Sequence, residues 1–131
     1  MSKSRGNVVA PDKLVGEYGA DTVRGYLMFF ARWDLGGPWN SQGIAGTERW
    51  LNRVWYLFTE PAEKGEPTEE LMRNVKRELH TSLDRISQDY EKVEFNTIIS
   101  TLMELLNTLV DAKAKGGAGS EEWSEILKPI Y

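Results

Sequence analysis

Three long stretches of this 131-residue chain carry apolar residues at helical spacing. The first runs from Asn40 or Ser41 to about Thr59, the second begins after Thr68, and the third starts near Phe95. No stretch sustains the alternation of apolar and polar residues that is typical of a half-buried strand. A helix with one apolar face has to bury that face against another element, which favours helix-on-helix packing. The sequence therefore predicts an all-α fold built around an antiparallel helix bundle.

The apolar residues of these stretches form the predicted core. Any strand should be short and lie near Asn7 to Ala10, where two valines precede the first helix. The predicted core positions are Ile44, Leu51, Val54, Trp55 and Phe58 in the first stretch, Leu71, Val75, Leu79, Leu83, Ile86, Tyr90 and Val93 in the second, and Phe95, Ile98, Ile99, Leu102, Leu105, Leu106, Leu109 and Val110 in the third.

Two short helices are predicted before the bundle. Pro11 and Asp12 suit the first turn of a helix, and Gly19 suits its end. Asp21 can then cap a second helix. This helix has to stop before the breaker cluster at residues 36–38, which is Gly-Gly-Pro.

These helices divide the chain into two predicted regions. Residues 1–35 hold the opening segment and the small helical module, and residues 36–131 hold the bundle. Within the bundle, the glycine-rich run from Ala112 to Ser120 is typical of a flexible linker, and a short helix follows it. Because that last helix is so short, we expect the bundle to be truncated at its C-terminal end.

Composition limits the kinds of function. The chain has no Cys, which excludes a disulfide framework and a cysteine nucleophile. It has neither the apolar run of roughly 20 residues that a membrane span needs nor a signal-peptide pattern. Its net charge is −4, which argues against a generally basic nucleic-acid-binding protein. We therefore expect a cytoplasmic protein whose nucleic-acid contacts, if it has any, come from local basic patches.

The chain opens with MSKSRGN, a short cationic segment without an apolar period. A lysine ammonium is a compact, strongly hydrated charge that suits a moving phosphate chain. The flanking serines and the glycine let the backbone approach anionic oxygens closely. Such a charge stabilises a departing pyrophosphate in nucleotidyl transfer. By itself, however, the segment is more typical of a disordered terminus.

The downstream residues change that interpretation. The stretch MSKSRGNVVAPDKLVGEYGADTVR resembles the signature loop of class I aminoacyl-tRNA synthetases, in which Lys-Met-Ser-Lys-Ser is followed by Gly-Asn and then by Tyr-Gly-Ala-Asp. Met1 to Ser4 match the last four positions of the motif, and its leading Lys is absent. The matching continuation comprises Gly6, Asn7, Pro11, Tyr18, Gly19, Ala20, Asp21, Thr22 and Arg24.

Two further stretches are similar to the leucyl branch of that family. Residues 38–58, PWNSQGIAGTERWLNRVWYLF, resemble its Trp-rich helix, although Pro38 stands where an acidic residue is usual. Residues 94–109, EFNTIISTLMELLNTL, resemble its anticodon-binding bundle. The isoleucyl and valyl branches share the loop but fit the Trp-rich helix less well. The alternatives are a fragment of one of those enzymes and a non-catalytic helical interaction module.

The resemblance implies the activity and partners of a synthetase. The parent enzyme would activate leucine with ATP and Mg2+ and transfer the leucine to tRNA(Leu), as a monomer and without a membrane. Lys3 would be the catalytic residue of an ATP-binding loop that comprises Met1, Ser2, Lys3 and Ser4. The family's second ATP motif, His-x-Gly-His, needs two histidines, and this chain has one, His80. The fragment alone is therefore expected to bind no cofactor and to be inactive.

Basic residues on the predicted helices are candidates for contacts with the tRNA backbone. Positions three and four apart share a helix face, so these cations gather on solvent-facing surfaces. From the residues alone, ion pairs with neighbouring glutamates are the better explanation. The resemblance adds contacts with phosphates rather than with bases. The candidates are Arg49, Arg53, Arg73, Lys76 and Arg77.

Other residue types indicate structure rather than chemistry. No pattern of histidines or carboxylates predicts a metal site, so His80 is expected to be solvated on its helix. Five tryptophans could stack on nucleobases, but aromatic residues at helical spacing are more often core. They are Trp33, Trp39, Trp50, Trp55 and Trp123.

Overall fold

Helices make up most of the protein in a computed structural model that describes residues 9–61 and 65–128. No residue in these two ranges lies in a strand, and the all-α prediction is confirmed. The predicted ATP-binding loop and the first part of the possible strand near Asn7 lie outside the described residues. The described helices are α1 Pro11–Tyr18, α2 Ala20–Phe29, α3 Ile44–Thr59, α4 Glu69–Glu91, α5 Phe95–Ala114 and α6 Trp123–Leu127, with a 3-10 turn at Gly117–Gly119.

Helix α5 is the centre of the bundle and packs against α2, α3 and α4. The three-residue connection from α4 to α5 makes these two helices antiparallel neighbours. The C-terminal ends of α3 and α5 lie next to each other. The Lys113 side chain, near the end of α5, hydrogen-bonds to backbone oxygens at the end of α3. The helices therefore run up, down and up, as the predicted antiparallel bundle requires.

The main core lies between α3, α4 and α5. Val75, Leu105 and Leu109 are almost completely buried in it. Removing a side chain of this size from water stabilises the fold by roughly 1.5 to 3 kcal/mol. Because each of the three helices contributes one apolar face, none can bury its own face alone. The buried members are Leu57, Met72, Val75, Leu79, Leu105, Leu106, Leu109, Ala112, Trp123, Ile126 and Leu127.

A second, smaller core joins α2 to the start of α3. Tyr26 stacks edge-on against Trp39 at 5.2 Å, and its hydroxyl donates to the Asn40 carbonyl oxygen. Gly43 makes room for this ring, since a Cβ there would lie 2.8 Å from it. Ile44, at the start of α3, belongs to the same cluster. The cluster spans residue 35, and the division of the chain at that residue stays a prediction.

Most predicted helix ends occur where local chemistry places them. Pro11 lies in the first turn of α1, and Gly19 ends that helix with a φ of 82°. The Thr68 side chain accepts a hydrogen bond from the Leu71 amide at 3.2 Å and caps α4. Asp21 differs from the prediction: it lies in the first turn of α2, makes no cap bond, and pairs with Arg24 at 3.5 Å.

The start of α3 also differs from the prediction. The helix begins at Ile44, after a turn in which the Asn40 side chain accepts from the Gln42 amide at 2.9 Å. Asn and Asp side chains commonly hold such turns, which compete with a helix start. Asn40 and Ser41, where the sequence predicts the helix to begin, therefore lie in a turn that precedes α3.

The predicted apolar stripe of α4 is only partly buried. Tyr90 is 69% exposed and Val93 is 53% exposed, whereas Ser82 and Asp89 are buried in their place. The buried positions Val75, Ser82 and Asp89 recur every seven residues, and Tyr90 lies about 100° around the helix from Asp89. Val93 lies beyond Glu91, the last residue of α4, in the connection to α5. Trp55 of α3 was also predicted in the core and is 67% exposed.

The glycine-rich run near the C-terminus is folded structure rather than an open linker. Helix α5 continues to Ala114, and Gly116 and Gly117 are buried. A Cβ on Gly119 would lie 2.3 Å from the Gly65 carbonyl oxygen. The glycines are needed because two backbone segments approach each other closely, which composition alone does not reveal.

Candidate nucleic-acid interface

The outward face of α3 carries two of the predicted tRNA-contacting residues. Arg49 and Arg53 are exposed and one turn apart, and Tyr56 follows three residues later on the same side. Neither arginine forms an ion pair within the part of the chain that the structure describes. Tyr56 is 55% exposed. We call Arg49, Arg53 and Tyr56 the α3 face.

The α3 face ends where Lys113 of α5 caps the helix. The Lys113 Nζ donates to the backbone oxygens of Tyr56, Leu57 and Glu60, at 3.3, 2.8 and 2.6 Å. The last carbonyls of a helix have no partner within the helix, and a cation there also complements the helix dipole. Lys113 therefore fixes the C-terminal end of α3 against α5.

A cavity of about 360 Å3 lies beside this cap, between α3 and α5. Leu57, Val110 and Ala114 supply apolar lining. The polar part of its lining comes from Arg53, Tyr56, Glu60 and Lys113. The sequence missed both Tyr56 and Lys113 as members of a site. The only signals were a tyrosine one turn from an arginine and a lysine that lies inside the supposed linker.

The candidates on α4 do not behave alike. Arg73 and Arg77 are exposed and one turn apart, without an ion pair among the residues described. Lys76 pairs with Glu122 at 2.8 Å, which is the ion-pair alternative given above. Arg73 and Lys76 line a different cavity, of about 450 Å3, together with Glu122. Arg53 of α3 and the pair Arg73 and Lys76 of α4 thus line separate cavities.

The tryptophans divide into core and surface. Trp123 is buried and Trp39 and Trp50 are half-buried, as expected of core residues. Trp33 is 59% exposed and lies 5.0 Å from the ring of Phe95. Trp55 is 67% exposed on α3, roughly a quarter turn or more from the α3 face at about 100° per residue.

Two ionisable groups with displaced pKa values, Tyr26 and Asp34, lie in or just after α2, away from the candidate arginines of α3 and α4. The Arg32 guanidinium donates to both carboxylate oxygens of Asp34, at 3.0 and 2.7 Å, and lowers the pKa of that carboxyl. Burial raises the pKa of the Tyr26 phenol. His80 is exposed on α4, and the described residues contain no group of three His, Asp or Glu side chains that could hold a metal ion. No described helix is both long and apolar enough to cross a bilayer.

Comparison with known proteins shows that the chain is similar to leucine–tRNA ligases over nearly its whole length. It is 56% identical over 129 residues to leucine–tRNA ligase of Deinococcus radiodurans, 49% over 128 residues to that of Dehalococcoides mccartyi strain 195, and 41% over 130 residues to that of Herpetosiphon aurantiacus. These matches cover 97%, 98% and 99% of this chain but 15%, 16% and 16% of the relatives. No family model matches the chain.

A solved structure has the same arrangement of helices. It is the crystal structure of a ternary complex of agnB2 LeuRS from Agrobacterium radiobacter K84 with tRNA and LeuAMS. Its TM-score to this chain is 0.74 at 28% identity, over 98% of this chain and 19% of that one. The helical fold and the sequence matches together define a segment of a class I aminoacyl-tRNA synthetase. The chain belongs to the leucine–tRNA ligase family and spans about 15% of the length of the curated relatives it matches. The predicted leucyl resemblance is confirmed.

Proposed function

We propose that the chain is the part of a leucine–tRNA ligase that holds the ATP-phosphate loop and a tRNA-binding helix bundle. The observation that supports this is the 56% identity to such an enzyme over 97% of the chain. The full-length protein would activate leucine with ATP and Mg2+ and transfer it to tRNA(Leu), as a cytoplasmic monomer. The test is ATP–pyrophosphate exchange and tRNA charging by the full-length protein with leucine, isoleucine and valine. Activity with isoleucine or valine in place of leucine would contradict the proposal.

Lys3 is the proposed catalytic residue of the ATP-phosphate loop, which also contains Met1, Ser2 and Ser4. Its ammonium would follow the charge that develops on the leaving pyrophosphate, so its contribution grows in the transition state. Replacing one such electrostatic contact slows the chemical step by roughly a hundredfold or more. In the full-length protein, Lys3→Ala should lower the rate of adenylate formation far more than it weakens leucine binding. Equal rates in a pre-steady-state measurement would remove Lys3 from the reaction.

The isolated chain is proposed to lack activity and to bind no ATP by itself. Its single histidine, His80, is exposed in the middle of α4 and cannot supply a His-x-Gly-His motif. Pyrophosphate exchange should therefore be absent from the purified 131-residue chain and present in the full-length protein. Exchange by the purified chain would mean that its own residues complete an ATP site.

Arg49, Arg53, Arg73 and Arg77 are proposed to contact the phosphate backbone of tRNA. Their support is exposure without an ion-pair partner among the described residues. Each Arg→Ala variant of the full-length protein should weaken tRNA(Leu) binding and reduce the salt slope of binding by about one. Lys76→Ala is the matched control on α4, because the Lys76 charge is paired with Glu122. An equal loss in all five variants would indicate a general charge effect.

A further inference from the structure

We propose that the cavity between α3 and α5 receives one unpaired nucleotide of the bound tRNA, with its base stacked on Tyr56. The inference rests on the proposed tRNA binding and names the part of the RNA that the α3 face would hold. The cavity measures about 360 Å3, within the range of roughly 300 to 1,000 Å3 that is usual for small-ligand sites. Its lining contains both apolar and charged side chains, which suits an occupant with a flat apolar part and a charged part.

The Tyr56 ring supports a base as the flat part of that occupant. The ring is 55% exposed, lines the cavity, and has no aromatic partner in the described part of the chain. Every nucleobase has a π-face, so an aromatic side chain beside a basic surface stacks bases without needing a particular sequence. Bases inside an A-form helix are already stacked, so only an unpaired nucleotide can be splayed into such a site.

The charges around the cavity support a phosphate as the charged part. Arg53 belongs to both the α3 face and the cavity lining, and Arg49 lies one turn further back. Glu60 lines the cavity at the other end of the helix. A phosphate is attracted to the arginines and repelled by the carboxylate. Lys113 also lines the cavity, but its ammonium is held by three backbone carbonyl oxygens near Glu60. The backbone of the bound nucleotide should therefore extend toward Arg49 and away from Glu60.

The cavity walls are held in place before any ligand binds. Lys113 ties the Tyr56 and Glu60 carbonyl oxygens to α5, so the helix turn that carries the ring is fixed to the helix on the opposite side of the cavity. A site that needs little ordering loses less free energy on binding. The Lys113 bonds go to backbone atoms, so a change in the Tyr56 side chain leaves this support intact.

The test is tRNA(Leu) binding by the full-length protein that contains this chain, measured at several salt concentrations. Tyr56→Ala should weaken binding by about tenfold or more, since loss of one stacked base has an effect of this order. Tyr56→Phe keeps the ring and should bind as the wild type does. Trp55→Ala removes a somewhat more exposed ring from another side of the same helix and should also bind normally. Circular dichroism and the thermal unfolding midpoint verify that each variant is folded.

The salt slope separates this inference from the proposed function. Tyr56→Ala should leave the slope unchanged, because the ring carries no charge, whereas Arg49→Ala and Arg53→Ala should each lower it by about one. Normal binding by Tyr56→Ala, with the arginine variants impaired, would overturn the cavity inference and leave the phosphate contacts standing. Equal losses in Tyr56→Ala and Trp55→Ala would also overturn it. Impaired binding by Tyr56→Ala with unchanged slopes in both arginine variants would support the stacking and contradict the phosphate contacts.

Discussion

Helices α4 and α5 are each followed by a residue with a positive φ, but the two residues differ. After α5, Gly116 takes a left-handed conformation with a φ of 83°, and its amide donates to the Lys113 carbonyl oxygen at 3.2 Å. After α4, Val93 takes that position with a φ of 60°. Its amide donates to Tyr90 at 3.1 Å, and the Glu94 amide donates to Asp89 at 2.9 Å. This bond pattern is the usual way for a glycine to end a helix, and a β-branched residue rarely adopts it.

The difference shows that the backbone conformation at a helix end and the choice of residue there have different causes. The tight connection between α4 and α5 requires a left-handed residue, and Val93 fills it at a cost in backbone strain. Gly116 answers to a second constraint, because a Cβ there would lie 2.9 Å from the Gly65 Cα. Val93 is 53% exposed, which fits a position without such close packing. The end of α5 therefore requires Gly116, whereas the end of α4 has Val93 at a position where glycine would also fit.

Gly116→Ala should break the end of α5 and have the largest effect. A left-handed conformation disfavours alanine by roughly 1 to 2 kcal/mol, and a backbone contact that must shift adds a similar amount. We expect a loss of about 3 kcal/mol in the free energy of unfolding of the chain, measured by urea denaturation. Gly46→Ala in α3 is the control, since a Cβ there meets nothing within 4 Å and should stabilise the helix slightly. Equal effects of the two changes would contradict the role of the Gly65 contact.

Lys113→Met should loosen the same end of the bundle by a smaller amount. Methionine keeps much of the apolar stem and removes the ammonium that holds three carbonyl oxygens. A hydrogen bond from a charged group contributes about 1.5 to 3 kcal/mol, and partial exposure of these carbonyls lets water replace part of the loss. We expect about 2 kcal/mol in the free energy of unfolding, with faster amide exchange in the last turn of α3. Lys115→Met is the control, because the Lys115 side chain pairs with the exposed Asp111 and with no other described residue. A similar loss in both variants would mean that the Lys113 hydrogen bonds stabilise the chain no more than a surface ion pair does.

The sequence predicts features whose cause is local. Thr68 caps α4, Pro11 opens α1 and Gly19 ends it, because each signal acts on its own neighbours along the chain. The long helices follow for the same reason, since periodicity is a property of adjacent residues. Gly116 shows the limit: glycine composition suggests freedom, while the close approach of Gly65, from a distant loop, makes the segment a packed turn.

In the candidate site too, the sequence predicts the features that depend on neighbouring residues and misses those that depend on packing between helices. Exposed arginines one turn apart on α3 follow from helical spacing alone. The pairing of Lys76 with Glu122 does not, because it depends on where α6 folds back onto α4. Lys113 and the cavity beside Tyr56 likewise appear only once α3 and α5 are packed together. The identity of the occupant then has to come from chemistry rather than from spacing.

Val93→Gly should improve the end of α4 and so remove the difference between the two helix ends. Glycine relieves the strain of the positive φ, but it gains freedom in the unfolded chain and loses the partly buried contacts of the valine. The balance should be a stabilisation of about 0.5 to 1 kcal/mol in urea denaturation. Val93→Asn is the matched variant, because asparagine tolerates this conformation without the entropy of glycine. Destabilisation by both changes would show that the contacts of Val93 outweigh its strain.

Protonation of Asp34, which lies beside the α4 end, should have the smallest effect. Arg32 and Asp34 line a cavity of about 170 Å3 together with Val93. The hydrogen bonds from Arg32 lower the pKa of Asp34 below 3.8, so the pair stabilises the folded state above that pH and is lost as the pH falls through the lowered value. Both side chains are more than half exposed, so salt should screen most of the interaction. The thermal unfolding midpoint of the wild type should exceed that of Asp34→Asn at pH 6, and the gap should close as the pH falls below about 3.8. A gap that widens in acid would reverse the sign of this linkage, and a gap that persists in 1 M salt would mean that Asp34 acts by packing rather than by charge.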